Sequence, residues 1–136
     1  MKRNIRAEVE ELARDVYKKL GSGYLEGVYE RAMQVGLRLK RIRYEGQKVV
    51  DLQYEGHCVG HGCLDLLVGS SASDTLIVEL KVVGKDKLGP AEKRQLLNYM
   101  ELLEAPRGLL INFPKPGAKA DEPDFIDLPE PPSSVS

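Results

Sequence analysis

The stretch TLIVELKVV, Thr75 to Val83, reads as a buried strand, yet it carries Glu79 and Lys81 at its centre. Its β-branched and apolar neighbours suit a strand covered on both faces, where a charge is costly unless it is paired or holds a metal. Alternation puts Glu79 and Lys81 on one face with Ile77, and Val78 and Leu80 on the other. In the preceding apolar run LDLLV, Asp65 is the lone acid. If the intervening hairpin closes with Gly69 opposite Thr75, Asp65 faces Glu79 with Cβ atoms about 5 Å apart. Two carboxylates at that range repel, so the pair calls for a raised pKa, a cationic neighbour or a metal ion. Lys81 supplies one positive charge, not two. One reading is a structural charge network on a partly covered sheet face. The other is a hard-cation site, since Mg2+ takes oxygen ligands, commonly one or two carboxylates with water and phosphate. A lysine beside such an ion suits phosphodiester hydrolysis.

The elements that must position these groups follow from the hydrophobic period. Ile5, Val9, Leu12, Ala13, Val16, Tyr17 and Leu20 recur at helical spacing, and Gly21 closes that helix. In a second helix the spacing makes Leu25, Val28, Tyr29, Ala32, Val35 and Leu39 the inward stripe, with Glu26 at its border. After Gly46 the period changes to strand: KVVDLQY, a turn at Glu55-Gly56, a run ending in CLDLLV, the polar loop GSSASD, and the opening stretch. Pro90 starts a third helix with Leu96, Tyr99, Met100 and Leu103 on its apolar face; Ala105-Pro106 ends it, and RGLLINF is a last buried strand. The order predicts an α+β fold, helices on a mixed sheet.

A chain of 136 residues, 42% hydrophobic, suits one core. The net charge of −1 hides an asymmetry: residues 1–117 hold 19 bases and 16 acids, whereas 118–136 hold five acids and one base. We therefore expect one domain over 1–117 and a loosely ordered, acidic, proline-rich tail over 118–136. The mildly basic body permits nucleic-acid binding without arguing for it. Two cysteines are too few for a disulfide framework, and no apolar run is long enough to span a bilayer, which suggests a cytoplasmic protein with no membrane partner. HCVGHGC gathers His57, Cys58, His61 and Cys63, a composition that suggests zinc. In a regular strand, however, His57 and His61 lie about 13 Å apart, and the expectation is no zinc site. GSSASD lacks the lysine and following Ser/Thr of a phosphate-binding loop and is read as a hairpin turn.

GYLEGVY, Gly23 to Tyr29, resembles the G-x-x-E-x-x-Y signature of a family of small bacterial proteins similar to the PD-(D/E)XK nuclease superfamily. The resemblance runs from about Val16 to Phe113 and takes in LDLLV, VELK, QLLNY and LLINF in order. It implies a restriction-endonuclease-like αβββαβ core with a mixed central sheet flanked by helices. It also implies a site of Glu26, Asp65, Glu79, Lys81 and Gln95, with Asp65, Glu79 and Glu26 holding Mg2+ or Mn2+. The implied activity is hydrolysis of DNA ahead of RNA, and a homodimer is compatible with it. The alternative is a catalytically silent binding or interaction module on the same fold. The chain departs from the family pattern at Tyr17, Ser22 and Cys63, where histidine, proline and arginine are common.

Overall fold

The computed structural model describes residues 3–70, 74–117 and 121–130. Its elements run α1 (Ile5–Leu20), α2 (Glu26–Leu39), β1 (Tyr44–Tyr54), β2 (His57–Val68), β3 (Leu76–Lys81), α3 (Pro90–Leu103), β4 (Arg107–Asn112) and β5 (Asp124–Leu128). The five strands form one mixed sheet in the order β1-β2-β3-β4-β5. Only β3 and β4 run parallel, Leu76 opposite Arg107 through Lys81 opposite Asn112, and α3 makes the crossover that parallel neighbours require. The α+β core expected from the sequence is the one observed.

Helices cover both faces. Val9, Ala13, Tyr29, Met33 and Leu37 of α1 and α2 pack on Leu66, Val78, Leu80, Leu109 and Phe113. On the other face Leu96, Tyr99 and Met100 of α3 pack on Leu64, Ile77 and Leu110. Asn4 caps α1 by accepting the Ala7 N–H at 3.0 Å. The Glu55-Gly56 turn has φ of 50° and 78° and joins β1 to β2 as a tight hairpin. The centre of the GSSASD loop, residues 71–73, lies outside the described residues.

Two expectations are corrected. The inward face of α2 is Tyr29, Glu30, Met33, Gly36 and Leu37, while Leu25 and Leu39 are about four-fifths exposed and Val35 is also exposed. The helix is turned because α1 crosses it at Gly36, where a Cβ would stand 2.2 Å from Leu12 Cδ1. The absent side chain is what lets the two helices approach. This rotation changes the position of Glu26. At about 100° per residue, Glu26 lies within about 20° of Met33 and Leu37, on the inward row and not at its border.

The second correction concerns residues 118–136. Asp124–Leu128 is an edge strand, antiparallel to β4 from Gly108–Leu128 to Asn112–Asp124. Phe125 packs against the α1/α2 core and lies under the Arg14 guanidinium at 5.0 Å, and Asp127 pairs with Arg6 of α1 at 2.8 Å. Between flanking prolines, DFIDL thus has both an apolar anchor and an ionic one, and a strand forms where composition suggested none. Residues 118–120 and 131–136 lie outside the described residues.

Candidate active site

The ladder between β2 and β3 is short. It pairs Leu66 with Val78, Leu67 with Ile77 and Val68 with Leu76, although β2 continues back to His57 beside β1 and β3 continues on to Lys81 beside β4. Where backbone pairing stops, two carboxylates take it over. The Asp65 N–H donates to Glu79 Oε1 at 3.1 Å, and the Leu80 N–H donates to Asp65 Oδ2 at 2.8 Å. The strands therefore part around an acid pair, in the register that the closed hairpin predicts.

The electrostatics follow from that contact. Glu79 is buried, and burial pushes its carboxyl up to about 8, with the Asp65 charge adding to the rise and the Asp65 backbone N–H and Lys81 opposing it. Two of the three ways to relieve the repulsion are therefore visible, a raised pKa and a cationic neighbour in Lys81. Glu26 is also raised, first by burial and then by Asp65 and Glu30, again against Lys81. Those charges place Glu26 within electrostatic range of both Asp65 and Lys81, and Glu26 and Lys81 line one cleft of about 510 Å3 with Gly23, Val83 and Lys115. The three carboxylates are not drawn into a set whose ligand atoms all lie within 4.8 Å of one another. Asp65 and Glu79 touch, and Glu26 faces them from the start of α2.

Within GYLEGVY, Gly23, Glu26 and Tyr29 each have a local structural role. Gly23 has φ of 105°, which a side chain would strain. Glu26 begins α2. Tyr29 is fully buried, stacks on Phe113 at 4.5 Å, and its hydroxyl donates to the Gly21 carbonyl at 2.6 Å. The tyrosine pins the loop that delivers the glutamate. Tyr17 acts similarly, its buried hydroxyl donating to the Pro114 carbonyl at 2.8 Å just before the cleft residue Lys115. Beyond Lys81, the buried amide of Asn112 accepts the Val83 N–H and donates to the Val83 and Gly84 carbonyls, fixing the exit of β3.

Two residues near the acids, Glu30 and Gln47, escaped the sequence reading. Glu30 follows Glu26 by four positions on the same face and accepts a hydrogen bond from the Gln47 amide. Gln47, at φ of 50°, in turn accepts from the Cys63 thiol at 3.1 Å. Burial and the charges of Asp65, Glu79 and Glu30 all push that thiol upward. The i, i+4 spacing of Glu26 and Glu30 was the available signal. Gln95, by contrast, is exposed and lines a different groove, with Leu52, Arg94, Asn98, Tyr99 and Leu102.

A family model described as the PD-(D/E)XK nuclease superfamily matches residues 3–122. The chain belongs to this superfamily. PD-(D/E)XK nucleases generally use divalent metals, and the oxygen-rich acid pair beside a lysine is the donor chemistry that such ions take. The crystal structure of SSO0001 is similar in fold, with a TM-score of 0.58 and 18% identity over 96% of this chain and 70% of that one. Comparison with curated proteins gives no match. Among the described residues, no helix of this PD-(D/E)XK protein is long and apolar enough to cross a membrane.

Proposed function

We propose that this chain is a magnesium- or manganese-dependent nuclease that hydrolyses phosphodiester bonds in DNA ahead of RNA, within the GxxExxY branch that GYLEGVY resembles. The observation that carries the reading is the acid pair in the fork of β2 and β3. Burial first, and then the Asp65 charge, push the Glu79 carboxyl up to about 8 despite Lys81, and ionising both acids needs more positive charge than Lys81 provides. An all-oxygen set of Asp65, Glu79 and Glu26 fits a hard divalent cation. Bound there, the cation supplies polarisation of a phosphoryl oxygen and a more acidic water.

The chain's own groups do the rest. The Asp65 N–H holds Glu79 and the Leu80 N–H holds Asp65, so one oxygen of each acid is fixed before any ligand arrives. Lys81 and Lys115 give the cleft positive charge for a phosphodiester, and Lys81 stabilises the negative charge that grows on it in the transition state. Glu30 and Gln47 hold the acid end of α2 against β1. Gln95, in the separate groove on α3 with Arg94 and Asn98, is assigned a contact to nucleic acid outside the cleft.

The test is cleavage of single-stranded, duplex and branched DNA and of RNA by the purified chain, with Mg2+, Mn2+ or chelator, beside Lys81→Met. The substitution keeps the stem's bulk and removes the charge. Wild type should cleave DNA only with a divalent ion, and Lys81→Met should bind the ion yet cleave at least about a hundredfold more slowly. Equal cleavage by both proteins overturns the role of Lys81. Nucleic-acid binding without cleavage by wild type overturns the enzyme and leaves the silent binding module.

A further inference from the structure

A second group of ligating side chains lies on the outer half of the β1–β2 hairpin. We propose that Asp51, Cys58 and His61 form a binding site for a zinc-class divalent cation, chemically distinct from the acid fork. Among the described residues these three present one ligand atom each, all within 4.8 Å of one another. His61 Nε2 stands 3.3 Å from Asp51 Oδ1 and 3.9 Å from Cys58 Sγ. A tetrahedral zinc with bonds of about 2.0–2.3 Å puts an imidazole nitrogen about 3.3 Å from a carboxylate oxygen and about 3.6 Å from a thiolate sulfur. The side chains already stand near that spacing.

A break in the strand makes this possible. In a regular strand residues three apart, such as Cys58 and His61, face opposite ways. Here Asp51 pairs with His61 and Leu52 with Gly60, but Gln53 pairs with Cys58, so Val59 is an extra residue. Opposed residues share a face, and Asp51 and Gln53, two apart on the unbroken β1, share one too. Cys58 and His61 therefore come to the same side. This is why the alternation argument that separates His57 from His61 misses the site: it assumes a strand without a bulge.

The donor set selects the ion. Thiolate and imidazole favour zinc and its borderline neighbours, while magnesium prefers the oxygen-only fork. Three protein ligands leave one tetrahedral position for water. Binding releases the thiol proton to solvent and replaces the 3.4 Å contact that Cys58 Sγ makes to the Gly60 carbonyl. A bound ion also ties β1 to β2 across the bulge, where the backbone ladder is interrupted.

Cobalt(II) added to the reduced, chelator-treated full chain reports the ligands directly. One thiolate-bound ion per chain should give a near-ultraviolet thiolate-to-cobalt charge-transfer band and the intense visible bands of a tetrahedral site, and zinc should displace it. Cys58→Ser should abolish the charge-transfer band, His61→Ala should weaken zinc binding by about a hundredfold or more, and Cys63→Ser and Asp65→Asn should leave the charge-transfer band unchanged. All three ligands are exposed, so these variants fold, as circular dichroism will show. Cobalt binding without a thiolate band, a band that survives Cys58→Ser, or one that disappears with Cys63→Ser would each overturn the proposal.

Discussion

The two halves of β2 differ in what surrounds them. From Leu64 to Val68 the strand is buried or half-buried between two helical layers, whereas most of His57 to Cys63 is exposed beside β1 alone. Asp65 in the inner half meets Glu79 in a space from which water is largely excluded, and the cost appears as a carboxyl raised to about 8. Asp51 and His61 beside the outer half are each 62% exposed, and their contact lies in solvent. The inner acids are positioned by packing and are electrostatically costly; the outer ligands are positioned by a backbone bulge and are nearly free to keep. One strand can thus carry a tense hard-ligand site and a relaxed soft-ligand one.

The largest effect expected from breaking the inner half comes from Asp65→Asn. The asparagine Oδ1 still accepts the Leu80 N–H, so the fork keeps its shape while one charge is gone. Cleavage should fall by at least about a hundredfold, because losing a ligand exceeds the cost of losing an outer-shell partner. In chelator the variant should melt at the wild-type temperature or above it, since like-charge repulsion has been removed, and magnesium should no longer raise that temperature. A marked destabilisation in chelator would mean that the acids form a structural network after all.

Next in size is Gly36→Val, which strikes the contact that sets the rotation of α2. With a Cβ otherwise 2.2 Å from Leu12 Cδ1, the helices must separate, and chemical denaturation should show a loss of about 1–3 kcal/mol. Glu26 lies on the same inward row, so magnesium affinity should fall in parallel while cobalt binding on the hairpin stays as it was. Unchanged magnesium affinity would show that Glu26 is placed by its loop and by Tyr29, not by the helix crossing.

A pH titration sharpens the comparison further. Glu79 has a folded pKa near 8 against an ordinary value of 4.5, so between about pH 4.5 and 8 the folded chain holds a proton that the unfolded chain has released. Stability contributed by this group is full below about 4.5 and declines as pH rises, by at most about 1.4 kcal/mol per unit, levelling above 8. Glu79→Gln imitates the protonated acid at every pH, and its amide can donate to Asp65. The difference in stability between variant and wild type in chelator should therefore grow with pH across this window; a constant difference would place the proton elsewhere. Magnesium binding must expel the same proton, so its affinity should rise over the same range.

These contrasts also show which features were legible in the sequence. Alternation with the hairpin register put Asp65 opposite Glu79, because strand pairing between two apolar runs tolerates no slip. The helical period found all three helices but misjudged the face of α2: Gly36 carries no hydrophobic signal, yet its lack of a side chain decides which way the helix turns. The strand β5 was hidden because its anchors, Arg6 and Arg14, lie more than a hundred residues away. The bulge at Val59 was hidden too, and with it the shared face of Cys58 and His61, since one extra residue reverses every parity argument beyond it. Local patterns were readable; consequences of a missing side chain, a distant ion pair or an added residue were not.

The smallest effect belongs to the outer half and is the sharpest test of the contrast. Cys58→Ser and His61→Ala each change an exposed residue with no core contact, and the Asp51 contact removed with His61 lies on the surface. In chelator both variants should unfold within about 0.5 kcal/mol of wild type. Zinc at a hundredfold excess over its dissociation constant should stabilise wild type by about 2.7 kcal/mol, through binding to the folded state alone, and should stabilise the variants far less. The inner fork behaves in the opposite way, its charges altering stability with no metal added. If His61→Ala proved costly in chelator, the outer half of β2 would be holding the fold and not merely riding on it, and the division of the strand into a tense half and a relaxed half would fail.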